Sequence, residues 1–359
     1  MELTKRINMK TAIITGATGQ DGYYLTKFLL LRDYRVIGIK RRTSSNAPTR
    51  LEQFFRNARF SLVEGDVSDY FSMANIIKPI LESPISVTSG PVEIYNLAAQ
   101  SHVHTSFEQP AYTFKVNYEG VLNILEICRP YKDRVRIYQA STSEMFGDNY
   151  DRTVANPELH EQGDWDLIWP RYQDEKTAFS PMSPYAVSKA AAHYLVNNYR
   201  KAYGLHASCG ILFNHESPER GDQFVTQKIC KYVAALKYNK NRPLQNRLKL
   251  GNLYASRDWG HASDYVRAMW LMLQQDKPDD YVVATGVTHT IVQFLDIAFS
   301  HIGEDWHKHV DIDQSFIRPS EVPYLCGNPR KIQNIGWMST YNLSDLIQEM
   351  IGKNHAKLR

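Results

Sequence analysis

A glycine-rich loop close to the start of the chain restricts its fold more than any other feature. Residues 15–22 read TGATGQDG, between a short apolar run and an amphipathic stretch at Gln20–Arg32. Gly16 permits a tight turn, Gly19 lets the backbone approach a pyrophosphate, and Gly22 allows close helix packing. The N–H groups that open the helix can bind an anion. The loop therefore predicts a dinucleotide site, with a plain turn as the alternative. The expected binding residues are Gly16, Thr18, Gly19, Gln20, Asp21 and Gly22.

The loop begins a regular alternation of short apolar runs and amphipathic stretches. These patterns predict strands at 11–16, 35–40, 60–65, 92–98, 135–140 and 206–213, and helices at 20–32, 71–81, 111–128 and 184–203. Strands that alternate with helices need right-handed crossovers. We therefore expect an α/β protein with a doubly wound parallel Rossmann sheet and helices on both faces.

The alternation breaks after Phe213. Irregular segments then separate helices that are predicted at 224–238, 261–273, 291–301 and 343–353. We expect an N-terminal extension over residues 1–8, a Rossmann domain over 9–213 and a smaller, interleaved, mainly substrate-binding domain over 214–359. Some segments of the smaller domain should return to the Rossmann domain. The polar, aromatic stretch 148–182 is too long for an ordinary connection. It is interpreted equally well as a functional lid or as a surface insertion.

Composition narrows the classes of partner. The chain has 359 residues, of which 43% are hydrophobic and 22% charged, and it contains no long apolar run. A net charge of +4 without a long basic run gives no support for nucleic-acid binding. The cysteines, Cys128, Cys209, Cys230 and Cys326, are too far apart for a zinc cluster or a disulfide framework. We expect a cytoplasmic protein with reduced thiols that binds an anionic small molecule, and neither membrane nor nucleic acid.

The end of the second predicted strand indicates which dinucleotide is bound. An acidic residue usually meets a free ribose 2′-hydroxyl there, but residues 38–45 read GIKRRTSS. Cations and hydroxyls favour a 2′-phosphate, so NADP is preferred over NAD; a solvated basic loop is the alternative. Asp66, next to Val67, is placed to bind the adenine. Small side chains let the backbone pass close to the cofactor at Leu97, Ala98, Ala99 and Ser101.

A tyrosine and a lysine open the helix predicted at 184–203. Ser183 is a good N-cap and Pro184 a good first helical residue, so Tyr185 and Lys189 lie four apart on one face. The lysine cation and the positive helix end favour the phenolate. The same lysine can hold the hydroxyls of the nicotinamide ribose. The pair therefore predicts a catalytic base.

Residues 139–147, QASTSEMFG, close the fifth predicted strand. Ligands of doubly wound sheets bind at the carboxyl ends of strands, so this segment should face the nicotinamide. Thr142 and Glu144 are two apart and point the same way in an extended chain. Oxidation of an alcohol needs no second acid or base, whereas elimination of water beside a new ketone needs both. Glu144 therefore predicts dehydration, and a structural helix cap or ion pair is its alternative role.

Longer phrases of the sequence resemble the GDP-mannose 4,6-dehydratase family, part of the extended short-chain dehydrogenase/reductase superfamily. They are ITGATGQDG, IYNLAAQSHV, YQASTSEMFG, GILFNHESPERG, FVTQKI, GNLYASRDWGHASDYVRAMWLMLQ and RPSEV, between about residue 11 and about residue 330. Other sugar-nucleotide 4,6-dehydratases typically have an Asp-Glu pair where this chain has Ser143-Glu144. The Thr-Ser-Glu version points to the GDP-mannose branch.

The resemblance implies a reaction without net oxidation. Tyr185 takes the proton of the sugar C4 hydroxyl, Thr142 binds the same oxygen, and the C4 hydride passes to NADP. Glu144 then removes the C5 proton and assists loss of the C6 hydroxyl as water. Return of the hydride to C6 gives GDP-4-keto-6-deoxymannose.

The resemblance also implies binding residues and an assembly. NADP contacts would come from Arg41, Asp66, Tyr112, His215 and Arg220, and substrate contacts from Ser143, Asn214, Lys228, Arg257 and Glu321. Arg257 suits a diphosphate, with a surface ion pair as the alternative. The family resemblance implies a homodimer or homotetramer.

Two departures from the family pattern leave the sugar open. The segment between Gly147 and Ser183 is longer than in the family and the segment 301–313 is shorter. GDP-heptose is therefore an alternative substrate, and C4 dehydrogenation or epimerisation without loss of water an alternative reaction. His102 and His104 lack a third ligand, so no metal is expected. His261 is interpreted as a packing residue.

Overall fold

The computed structural model describes residues 9–44, 49–84, 90–149, 172–238, 246–316 and 320–358. The strands are β1 (Thr11–Thr15), β2 (Arg35–Lys40), β3 (Phe60–Glu64), β4 (Val92–Asn96), β5 (Val135–Thr142), β6 (Ala207–Leu212), β7 (Asn214–Glu216), β8 (Leu248–Leu250), β9 (Ser256–His261), β10 (Asp280–Val283), β11 (Thr288–Thr290) and β12 (Val310–Ile312). The α-helices are α1 (Gln20–Leu30), α2 (Tyr70–Glu82), α3 (Val103–Glu108), α4 (Pro110–Phe114), α5 (Gly120–Cys128), α6 (Pro184–Tyr203), α7 (Val225–Tyr238), α8 (Ala262–Gln274), α9 (Ile291–Ser300), α10 (Arg330–Gln333) and α11 (Leu343–Leu358).

The large sheet is parallel throughout and has the order β10-β6-β5-β4-β1-β2-β3. Its central strands are buried on both faces, which explains their continuous apolar runs; every residue of β1 and of β6 is buried. Helices α1 and α8 pack on one face, and α2, α5 and α6 on the other. The predicted doubly wound Rossmann sheet is confirmed.

The second half of the chain forms a smaller unit beside this sheet. It contains the three-stranded sheet β11-β9-β7 and the pair β12-β8. Helices α7, α9 and α11 share one apolar core there. Two elements of the second half, α8 and β10, return to the large sheet. Among the described residues, no helix combines the length and apolar character that crossing a bilayer requires.

The helix predicted at 111–128 is present, but its hydrogen-bonding pattern is not uniform. It is divided into α4, a π-helical turn at Lys115–Glu119, and α5. Within that turn the buried Asn117 accepts from the backbone N–H of Gln100 at 2.9 Å and donates to Ser188 Oγ at 3.0 Å. These tertiary hydrogen bonds override the regular helical period. Strands of three residues, such as β7 and β8, were missed because they are too short to show an alternation.

Part of the long segment 148–182 lies outside the described residues, namely 150–171. The described part is anchored at Gln173, which is fully buried. Its backbone N–H donates to Cys326 O at 2.9 Å, and Asn328 donates its backbone N–H to Gln173 O at 2.9 Å. The chain that leads into α6 is therefore attached to the smaller unit.

Candidate active site

A cleft of about 1070 Å³ runs along the carboxyl ends of the central strands, between the large sheet and the smaller unit. All the predicted site residues line it. From the loop of α1 they are Gly16, Thr18, Gly19, Gln20, Asp21 and Gly22; from the other loops of the large sheet, Arg41, Asp66, Val67, Leu97, Ala98, Ala99, Ser101 and Tyr112; from β5 and α6, Thr142, Ser143, Glu144, Tyr185 and Lys189; and from later segments, Asn214, His215, Arg220, Lys228, Arg257 and Glu321. The structure thus places in one cleft predicted residues that are far apart in sequence. Their individual roles remain predictions.

The glycine loop forms a tight cradle at one side of the cleft. Gly16 has φ +64°, and a Cβ there would lie 2.9 Å from the backbone N of Ala98. A Cβ on Gly22 would lie 2.4 Å from Ala17 O. Gly19 is the N-cap of α1 and offers no side-chain cap, so backbone N–H groups at this helix end are available to an anion. The residues present therefore fit the pyrophosphate of a dinucleotide.

Two side chains of the loop point into the protein. Asp21 Oδ2 lies 2.8 Å from His215 Nε2, and Gln20 Nε2 donates to His215 O at 3.1 Å. Burial opposes both charges, but the ion pair outweighs it, so the pKa of Asp21 is lowered and that of His215 raised. The loop is thereby tied to β7 of the smaller unit.

Basic side chains collect where a 2′-phosphate is predicted. Arg41 donates a hydrogen bond to the phenol of Tyr112. Arg50 also lines the cleft and pairs with Glu219 at 3.2 Å. Arg50 was not predicted from the sequence, because it belongs to no motif. It follows residues 45–48, which lie outside the described residues. Asp66 accepts from Ser68 N at 2.9 Å, an interaction that fixes its carboxylate beside the cleft.

The tyrosine end of the cleft, defined by Thr142, Glu144, Tyr185 and Lys189, is built on β5 and α6. Ser183 caps α6 by accepting from Ala186 N at 3.1 Å, as predicted. Lys189 Nζ donates to Ala140 O at 2.8 Å. The Tyr185 phenol is hydrogen-bonded to Thr142.

The predicted reason for the pairing of Thr142 with Glu144 was wrong. The chain is extended only as far as Thr142, where β5 ends, and a 3-10 turn at Ser143–Phe146 follows. Thr142 Oγ1 caps this turn by accepting from Glu144 N at 3.3 Å. Both side chains reach the cleft because the turn folds back, not because they alternate along a strand.

Burial dominates the electrostatics of the tyrosine end. It raises the pKa of Tyr185 to about 12, although the hydrogen bond with Thr142 acts in the opposite direction. It also lowers the pKa of Lys189 to about 8. The sequence led us to expect that a lysine cation would favour the phenolate. In the structure, desolvation of both groups is the larger influence.

The arginine end, defined by Lys228, Arg257, Phe316 and Glu321, belongs to the smaller unit. Arg257 lies 3.5 Å from Glu321, and its side chain is only 9% exposed. The ion pair that was the alternative for Arg257 is present, although it lies in the cleft and not on the open surface. Binding of a diphosphate by Arg257 remains a prediction. Lys228 Nζ lies 4.9 Å from the ring centre of Phe316. Phe316 was missed because it lies in an irregular segment without a recognisable pattern.

Histidines outside these groups have local structural partners. His104 pairs with Glu108 at 3.5 Å. His261 is buried, caps α8 through Ser263 N at 3.0 Å, and stacks on Tyr341, which agrees with a packing role. Elsewhere, His193, Cys209 and Asp280 bring possible ligand atoms within 4.8 Å of one another.

We do not assign the cluster of His193, Cys209 and Asp280 to a metal. Arg200 already supplies a cation to Asp280, at 2.6 Å. Burial also keeps the Cys209 thiol protonated by raising its pKa. The three groups are therefore satisfied as a structural ion-pair network.

The fold and the cleft define a protein with a Rossmann sheet, a glycine-rich loop at the start of α1 and a Tyr–Lys pair at one end of the cleft. The family description "GDP-mannose 4,6 dehydratase" matches residues 13–350. GDP-mannose 4,6 dehydratase 1 of Arabidopsis thaliana is 44% identical over 356 residues, covering 96% of this chain and 90% of the relative. GDP-mannose 4,6-dehydratase of Sinorhizobium fredii is 43% identical over 375 residues. The alignment covers 98% of this chain and 98% of the relative. The chain therefore belongs to the GDP-mannose 4,6-dehydratase family.

The fold is shared more widely. A solved structure of dTDP-glucose 4,6-dehydratase from Bacillus anthracis, in complex with NAD, superposes with a TM-score of 0.74 at 20% sequence identity. The similarity covers 97% of both chains. The arrangement of sheet and smaller unit is thus common to enzymes with very different sequences.

Proposed function

We propose that this protein converts GDP-mannose to GDP-4-keto-6-deoxymannose, with NADP as its cofactor. The observation that carries the proposal is the meeting of Thr142, Glu144, Tyr185 and Lys189 at one end of a cleft whose side wall is the glycine cradle. A base, a hydroxyl, a carboxylate and an ammonium group are together what oxidation and elimination at neighbouring carbons require. Membership of the family supports the choice of substrate.

The preference for NADP rests on the charges beyond the cradle. Arg41 and Arg50 line the cleft there, and neither an Asp nor a Glu follows β2 in residues 41–44. Guanidinium groups bind phosphate through paired hydrogen bonds. When bound, the nicotinamide ring accepts a hydride from C4 of the sugar and returns it to C6.

The protein groups supply the proton transfers. Tyr185 removes the proton of the C4 hydroxyl while Thr142 donates a hydrogen bond to the same oxygen. The raised pKa of Tyr185 opposes this step, so the positive charge that an oxidised nicotinamide would bring must favour the phenolate. The Glu144 carboxylate then takes the C5 proton, which the C4 ketone has made acidic, and protonates the departing C6 hydroxyl. Lys189 holds the ribose hydroxyls of the cofactor, and Arg257 holds the diphosphate of the substrate. As the hydride reaches C6, Tyr185 returns its proton to C5. One water is lost, and the sugar undergoes no net oxidation.

A substrate panel tests the proposal. The purified protein with NADP is incubated separately with GDP-mannose, GDP-heptose, UDP-glucose and dTDP-glucose, and products are identified by mass. We expect GDP-mannose to lose one water. Turnover of GDP-heptose alone would assign the sugar differently, and absence of dehydration with both GDP-sugars would refute the proposal.

Three further proposals concern the domain division, the compartment and the assembly. We propose a Rossmann domain over 9–213 and a mainly substrate-binding unit over 214–359, with α8 and β10 packed on the first. The four cysteines are buried and unpaired with one another, which suits a reducing cytoplasm. Val187 and Tyr194, seven residues apart on α6, are 45% and 58% exposed and offer an apolar surface for a homodimer or homotetramer. Light scattering of the purified protein tests the assembly.

A further inference from the structure

A row of three polar side chains crosses the large sheet near the catalytic lysine. Thr15 of β1, Asn96 of β4 and Gln139 of β5 are register partners on adjacent parallel strands. They are 0%, 2% and 2% exposed, respectively. Two positions earlier, the same strands carry core isoleucines: Ile13, Ile94 and Ile137. Polar groups at such depth cost stability unless each of them is hydrogen-bonded, so the change from isoleucine requires an explanation.

Every link of this row is made, and all the links run in one direction. Thr15 Oγ1 accepts from two backbone N–H groups of the loop after β4, both at 3.1 Å, so its proton is donated to Asn96 Oδ1 at 2.6 Å. Asn96 Nδ2 consequently donates to Gln139 Oε1 at 2.7 Å, and Gln139 Nε2 to Ala140 O at 2.9 Å. The threonine thus determines which way both amides point.

The row ends at Ala140 O, the carbonyl oxygen that also accepts from Lys189. Lys189 Nζ also donates to Ala140 O, at 2.8 Å, and this side chain is 3% exposed. One carbonyl oxygen therefore accepts from the Gln139 amide and from the ammonium group, which uses both of its lone pairs. We propose that Gln139, oriented by Asn96 and Thr15, is a positioning residue that fixes the carbonyl on which Lys189 rests.

The chemistry of an amide suits this task. An amide fixes the carbonyl by donating to it and adds no charge, so the lysine stays available to the cleft. A carboxylate in the same place would attract the ammonium group away from the cleft and favour its charged form. An apolar side chain would leave the carbonyl held by the lysine alone and Asn96 without its acceptor. The inference rests on the proposed role of Lys189 at the nicotinamide ribose.

The first test compares two ligands that differ at the nicotinamide end. Binding of NADPH and of adenosine 2′,5′-bisphosphate, which lacks the nicotinamide ribose, is measured for the wild type and for Gln139→Met. We expect the NADPH affinity to fall about tenfold while the affinity for the bisphosphate changes less than about twofold. Gln227→Met is the control, because Gln227 is equally buried but lies on α7 outside the cleft lining.

The second test reads the lysine itself in Gln139→Glu, which keeps the shape of the side chain and the acceptor for Asn96. The pH dependence of acetylation of Lys189 by limiting acetic anhydride, quantified by mass spectrometry, gives its titration. The new carboxylate lies within about 6 Å of the ammonium group, so we expect the pKa of Lys189 to rise by about one unit or more.

Equal losses of affinity for both ligands, or an unchanged titration of Lys189 in Gln139→Glu, would overturn the inference. Neither measurement needs a sugar nucleotide. The inference can therefore be judged even if the substrate panel rejects GDP-mannose.

Discussion

The tyrosine end of the cleft is built on the carboxyl end of β5 and the start of α6, whereas the arginine end combines α7 and β9 with irregular segments of the smaller unit. At the tyrosine end, Lys189 is buried and bonded to a strand carbonyl. At the arginine end, Lys228 lies over the ring of Phe316, which is 46% exposed. Phe316 is the last described residue before 317–319. A rigid sheet suits proton transfers that tolerate little displacement, and loops suit recognition that varies among relatives.

This difference separates two kinds of mutational effect. Changes at the tyrosine end should reduce the rate of chemistry, because the proposed mechanism places its groups at the reacting carbons. Changes at the arginine end should weaken binding of the substrate and leave the chemical step nearly intact.

The largest effect is expected for Glu144→Gln. Without the carboxylate, the C5 proton has no base, so dehydration should fall by about 10²–10⁴-fold. Oxidation at C4 needs Tyr185 and should persist, so reduced cofactor should accumulate and absorb at 340 nm. Single-turnover absorbance and product mass measure the two steps. Glu304→Gln, a surface change at a residue 48% exposed, should alter neither. Unchanged dehydration would remove Glu144 from the mechanism.

The tyrosine end was also the more predictable of the two from sequence. Ser183 and Pro184 mark the start of α6 through local capping chemistry, so the spacing of Tyr185 and Lys189 followed directly. The glycine loop was equally local. The burial of a side chain cannot be predicted from local sequence, since it depends on the whole fold. The raised pKa of Tyr185 was therefore not anticipated.

The arginine end required the resemblance to a family, because no local pattern indicates it. Arg257 and Glu321 are 64 residues apart by number and meet only through tertiary folding. β10 illustrates the same limit in the fold: this four-residue strand, DYVV, extends the large sheet only because β6 is already there to pair with it. Long-range pairings of this kind leave no periodic signal in one sequence.

Arg257→Met should produce the second-largest effect. A guanidinium that binds a diphosphate contributes a charge-assisted hydrogen bond, so the KM for the GDP-sugar should rise about 10–100-fold while kcat changes little. Initial rates over a range of substrate concentrations separate the two constants. Arg247→Met, which removes a surface cation 46% exposed and outside the cleft lining, is the control. A fall in kcat without a change in KM would mean that the two ends are not functionally separate.

The smallest effect concerns the contact that joins the large sheet to the smaller unit, the Asp21–His215 pair between the glycine loop and β7. The raised pKa of His215 gives stability that is complete below about pH 6.5 and is lost as the pH rises through the folded-state value. The lowered pKa of Asp21 gives stability that is present above about pH 4 and is lost on acidification through its folded-state value. The pair is therefore strongest between these limits.

Asp21→Asn should accordingly destabilise the protein by about 1–2 kcal/mol near pH 5.5, and by less at pH 9, where His215 is neutral with or without the substitution. Guanidinium unfolding at both pH values, without cofactor, measures the free energy of unfolding. Asp33→Asn removes the partner of Arg59 at a site 86% exposed and should change stability by less than about 0.5 kcal/mol at either pH. An equal loss at pH 5.5 and pH 9 would show that Asp21 acts only as a hydrogen-bond acceptor, and that the contact between the large sheet and the smaller unit has no pH-dependent charge.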